Sequence, residues 1–150
     1  MKKITLFITS LILVLFTIGC STKGSVQVSQ AKKSSRTIYV YYTDSVKQDE
    51  RKYQVLSQNL FFSLTNQGMK PINITTINEI GKDGFLLTVN AMQTTTSLRR
   101  KITVLYTLTE NETGKVIRKG KVHSASMFGG YTKILHVIGR SLAGQVVRGT

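Results

Sequence analysis

From Ile4 to Ile18 the chain runs fifteen residues without a charge (ITLFITSLILVLFTI), directly behind Lys2-Lys3. A membrane-spanning helix needs about 20 apolar residues. A shorter apolar run behind a positive stretch is the pattern of a secretory leader. These residues serve targeting, so only the residues beyond them can build the folded core.

The run stops at Thr17-Ile18-Gly19-Cys20, and Cys20 is the only cysteine. A small residue directly before a cysteine resembles the cleavage site of a bacterial lipoprotein signal. In such signals the Cys20 thiol takes a diacylglycerol and the chain is cut between Gly19 and Cys20. The plain alternative is an ordinary secretory leader with an incidental cysteine. Several acyl chains hold firmly, since each buried CH₂ adds about 0.8 kcal/mol. Ser21 stands where inner-membrane lipoproteins of two-membrane bacteria usually carry Asp. The resemblance therefore implies the inner leaflet of the outer membrane, facing the periplasm. Residues 1–19 are the leader, 20–35 the lipidated cysteine and its tether, and 36–150 the domain.

One cysteine excludes a disulfide framework and a cysteine-based structural zinc site. Two His and seven acidic residues leave little for a catalytic centre, and no nucleophile elbow or triad-like context is present. No enzyme activity, cofactor or metal is expected. His123 reads as a strand residue and His136 as a helix residue, each for surface or packing.

Ser21 to Ser35 (STKGSVQVSQAKKSS) is polar and cannot bury enough surface to order itself. Thr37 to Tyr42 is β-branched and aromatic throughout, which predicts a strand covered on both faces. Tyr53, Leu56, Leu60, Phe61 and Leu64 recur at helical spacing, predicting an amphipathic helix over 49–67 closed by Gly68. Ile72 and Ile74 suggest a short extended piece. Phe85 to Met92 is a strand. Ile102, Val104, Tyr106 and Leu108 alternate with polar residues, and Lys115 to Ala125 returns as the second arm of a hairpin. Tyr131, Ile134, Leu135, Ile138, Leu142 and Val146 mark a last helix, which Gly139 and Gly144 weaken unless packing uses them. The expected class is α+β, with a mostly antiparallel four-stranded sheet, two helices on one face, and the order β-α-β-β-β-α.

These parts resemble the LptE family of lipopolysaccharide-assembly lipoproteins. The likeness rests on the Gly19-Cys20 signal, the tether and the element order. It also rests on the hairpin Val104-Leu-Tyr-Thr-Leu108, Glu112-Thr-Gly-Lys-Val116 and Gly120-Lys-Val122, followed by Tyr131 and by Arg140-Ser-Leu-Ala143. The resemblance implies a non-enzymatic partner of the outer-membrane β-barrel that inserts lipopolysaccharide. Such a partner sits in the barrel as a plug, assists its assembly and contacts lipopolysaccharide. It also implies a basic contact in the loop before the hairpin, which falls on Arg99 or Arg100.

Charge points the same way. The chain holds 21 Lys and Arg against 7 Asp and Glu, a net +14. Without Lys2 and Lys3 the mature chain keeps +12. No acid comes after Glu112, while Lys115, Arg118, Lys119, Lys121, Lys133, Arg140 and Arg148 do. Lys119, Lys121 and His123 are expected on one face of the hairpin, with Lys115 on the same side and Arg99-Arg100-Lys101 clustered just before it. Such a field attracts a polyanion. Beyond the inner membrane that means phosphorylated glycolipid or a membrane surface, not nucleic acid. The lipopolysaccharide-binding candidates are Arg99, Arg100, Lys101, Lys119 and Lys121; for each single Lys a merely solvated face is the alternative. Other functional readings are an activator of a peptidoglycan synthase and a subunit of a secretion pore.

Overall fold

The computed structural model describes residues 36–96, 99–128 and 130–150. The leader, Gly19, Cys20 and the tether lie outside the described residues. The elements are β1 (Thr37–Tyr42), a short α1 (Asp44–Lys47), α2 (Glu50–Asn66), β2 (Lys70–Ile74), a 3₁₀ turn (Ile77–Glu79), β3 (Phe85–Thr96), β4 (Arg100–Glu110), β5 (Val116–Ser126) and α3 (Tyr131–Val147).

The strands form one five-stranded sheet in the order β2-β1-β3-β4-β5. This corrects the expected four-stranded, mostly antiparallel sheet with two helices. β1 pairs in parallel with both β2 and β3, while β3, β4 and β5 form an antiparallel meander. The physical reason lies in α2. A helix between two strands returns the chain to the same end of the sheet, so the next strand runs parallel to the first. Ile72 and Ile74 thereby become part of an edge strand beside β1 rather than an isolated extended piece.

Alternation in β1 and β4 sorts the side chains. Ile38, Val40 and Tyr42 on β1, and Ile102, Val104, Tyr106 and Leu108 on β4, are buried. They form one core with Leu56, Leu60 and Leu64 of α2 and Ile134, Leu135, Ile138, Leu142 and Val146 of α3. The two long helices lie so close that a methyl on Gly139 of α3 would stand 2.9 Å from Asn59 Cβ and 3.0 Å from the Leu60 nitrogen of α2. Gly139 is the glycine that packing requires; Gly144 has nothing nearer than Arg148 at 4.0 Å.

α2 starts at Asp49, whose carboxylate accepts from the Lys52 amide at 3.1 Å. It ends where Met69 N–H donates to Leu64 O and Gly68 N–H to Thr65 O, a Schellman closure with Gly68 at φ 79°. Phe61 packs against the core, whereas Phe62 stays exposed.

Among the described residues the buried Tyr42 hydroxyl has no hydrogen-bond partner, and its ring meets Tyr53 edge-on at 5.0 Å. Burial pushes its pKa far above the usual phenol range.

Candidate functional site

Helices cover one face of the sheet. The other face of the meander is where the sequence places its cations, and strand register decides which of them meet. Lys121 pairs with Leu105, Lys119 with Thr107, and His123 with Thr103, while Lys101 lies one step along opposite Ala125. Their register partners alternate with the buried Val104, Tyr106 and Leu108, so Lys101, Lys119, Lys121 and His123 share the open face, and all four are exposed or half-buried. No acidic residue stands on that face of β4 or β5; Glu110 is paired by register with Phe85, on the helix side.

The expected triplet does not stay together. A strand turns successive side chains to opposite faces, so Arg100 goes to the helix side while Lys101 goes to the open side. Arg100 lies over the ring of Tyr131 with its guanidinium carbon 5.5 Å from the centroid; Lys52 lies over the same ring at 4.5 Å. Arg99 precedes the strand and is exposed. Lys115 does not join the face either. The register slips between Leu108 and Thr109, leaving Ile117 unopposed and pairing Thr109 with Val116. That bulge puts Val116 on the open face in place of Lys115. Arg118 is on the helix side and donates to Gln145 Oε1 at 2.7 Å.

One feature shapes the open face. β3 carries a bulge between Val89 and Ala91, which frees Asn90 from the ladder. The Asn90 carbonyl accepts from Thr43 Oγ1 at 2.6 Å and Ser45 Oγ at 3.0 Å, and its side-chain amide donates to Thr107 Oγ1 at 2.9 Å. Gly120 stands opposite Tyr106 on the helix side, where the Tyr106 hydroxyl and ring come within 3.1–3.3 Å of where a Cβ would be. Beside the bulge lies a shallow groove of about 460 Å³ lined by Asn90, Leu105, Tyr106, Thr107, Lys119, Gly120 and Lys121. An amide and a hydroxyl beside two ammonium groups suit a phosphorylated, hydroxyl-bearing ligand, with lysines acting as point charges.

His136 links the helices: its Nδ1 meets Asn59 Oδ1 at 2.5 Å and its Nε2 meets Arg140 at 2.9 Å. A guanidinium only donates, so Nε2 accepts and Nδ1 carries the proton. Among the described residues no three His, Cys, Asp or Glu come together in a way that could hold a metal ion, and no helix is long and apolar enough to cross a membrane.

Sequence reasoning did not single out Tyr131 as a platform for two cations, nor the Asn90–Thr107 pair, because both arise from long-range register. Met127 and Phe128 follow β5 directly, and no periodicity in the sequence marks them.

No protein-family model matches the chain, and no curated protein matches it in sequence. Solved structures do match. The PelC dodecamer from Paraburkholderia phytofirmans aligns over 75% of this chain and 88% of its own at 9% identity, with a TM-score of 0.52. A Xanthomonas campestris protein of the DUF330 family aligns over 76% and 85% at 8% identity, with a TM-score of 0.53. The chain shares their fold. A minor lipoprotein from Acinetobacter baumannii also matches, over 77% of this chain and 91% of its own, at 14% identity and a TM-score of 0.43.

Proposed function

We propose that this chain is a lipid-anchored protein of the outer membrane that works by binding, and that the open face of β4 and β5 receives the phosphorylated headgroup of lipopolysaccharide during its export through a partner β-barrel. The observation that carries this reading is the convergence of Lys101, Lys119, Lys121 and His123 on one exposed face of β4 and β5, where neither strand places a carboxylate. A barrel lumen is polar, and a polar, cationic sheet face suits such a setting. The hairpin resemblance and the Gly19-Cys20 signal support the same assignment.

The test is lipopolysaccharide binding by the mature chain with Lys101, Lys119 and Lys121 changed to Glu. Three exposed charge pairs at up to about 1 kcal/mol each put the loss at about tenfold to a hundredfold. Far-UV circular dichroism should be unchanged, and Arg100→Gln, off that face, should bind normally. Full binding by the triple variant refutes the site. Affinity capture from membranes identifies the partner, and mass spectrometry of the mature N-terminus checks Cys20 acylation.

The likeness to PelC, solved as a dodecamer, favours a second reading, a ring-forming subunit of an envelope secretion machine. Size-exclusion chromatography with light scattering separates the two: a plug is monomeric without its barrel, whereas a ring subunit assembles alone.

A further inference from the structure

The end of the sheet where β3 finishes, β4 begins and β5 finishes carries an apolar tip. Thr96 pairs with Arg100 and Arg100 with Ser126, so the three strand ends coincide. Directly beyond Ser126, Phe128 is 97% exposed and Met127 57% exposed. Cations stand at the same end of the sheet. Arg99, Arg100 and Lys101 open β4 at this end, and Lys133 lines a small groove with Ser124, Ala125 and Ser126. The nearby Asp49 is already in an ion pair with Lys52. This is also the end remote from Arg36, because β1 starts level with Phe85, at the far end of β3.

We infer that this tip is a membrane contact that inserts Phe128 and Met127 into the interface of an anionic lipid bilayer. An aromatic ring 97% exposed has little to gain from water. At a bilayer the ring enters the headgroup and upper acyl region, where aromatic side chains concentrate. Cations flanking such a tip are drawn to anionic headgroups, about fivefold in partition for each one near the surface. Apolar tip and cationic collar thus match the two layers of one target. The contact is separate from the groove around Asn90 and Thr107, which lies farther along the sheet.

The chain contains no Trp, so Phe128→Trp introduces a single fluorophore at the tip. The mature chain carrying Cys20→Ser, and therefore no acyl anchor, is mixed with vesicles of phosphatidylcholine and phosphatidylglycerol at about 3:1, a composition that gives an anionic surface. The expected result is a blue shift of the emission and quenching by lipids brominated in the upper acyl chain. Val116→Trp, at the opposite end of β5, should show neither. On the Phe128 background, Phe128→Asp should lower partition by about tenfold or more, and pure phosphatidylcholine should bind several-fold less. Emission from Phe128→Trp that is unshifted and unquenched overturns insertion. Equal partition onto neutral and anionic vesicles overturns the cationic half. Lys119→Glu with Lys121→Glu, both away from the tip, should leave the shift and quenching of Phe128→Trp unchanged, and their loss would overturn a tip contact separate from the groove.

Discussion

Adding one methyl group at either of two glycines in α3 should move stability in opposite directions. Gly139→Ala and Gly144→Ala each remove the helix penalty of glycine, about 0.5–1 kcal/mol. At Gly144 the nearest atom is the Arg148 guanidinium at 4.0 Å, ordinary van der Waals contact, so the gain is realised. At Gly139 the methyl arrives 2.9 Å from Asn59 Cβ and 3.0 Å from the Leu60 nitrogen. Neither can swing aside: one is fixed to the α2 backbone and the other belongs to it. Asn59 is held further by its bonds to Val55 O and His136. α3 must back away from α2, and such overpacking costs about 1–3 kcal/mol. The net loss is about 1–2 kcal/mol. Unfolding entropy of about 2 cal/mol/K per residue over the roughly 115-residue domain converts 1 kcal/mol to about 4 °C. Calorimetry should therefore find Gly144→Ala about 2–4 °C above the parent and Gly139→Ala about 4–8 °C below. A Gly139→Ala protein as stable as Gly144→Ala would refute the close helix contact.

Two further changes test other features. Tyr42→Phe removes a buried hydroxyl that has no partner and should leave stability unchanged or raise it by about 1 kcal/mol in urea unfolding; because the folded phenol holds its proton well above the usual range, the parent should also lose stability as pH climbs past about 10, and the variant should lack the part of that slope due to Tyr42. Asp49→Ala removes the cap of α2 and should cost about 1 kcal/mol near neutral pH; the side-chain and backbone bonds from Lys52 hold the Asp49 pKa below its usual value, so the difference between parent and variant should persist above about pH 4 and shrink as pH falls through that lowered pKa.

Local signals carried most of the element pattern. The stripe Leu56, Leu60, Leu64 and the glycine after it placed α2, and the alternation from Ile102 to Leu108 placed β4. What the pattern left out was pairing. Residues 70–74 are too short and too polar at Lys70 and Asn73 to announce a strand, and they become one only because β1 offers a parallel edge. The cationic face was legible for Lys119, Lys121 and His123, whose period of two survives in β5. It was not legible for Lys115, because the bulge at Ile117 shifts the register, nor for Arg100, because adjacency in sequence means opposite faces in a strand. The Tyr131 platform needed residues from α2, β4 and α3 at once, which no local window contains.

β1 comes first in the domain yet ends up inside the sheet, between β2 and β3. Its partner on one side, Phe85, lies 47 residues downstream of Ile38 (85 − 38). A chain synthesised from its N-terminus therefore presents β1 long before both of its neighbours exist. Loop closure over that separation delays sheet assembly until most of the domain is available, so the sheet locks late and all at once.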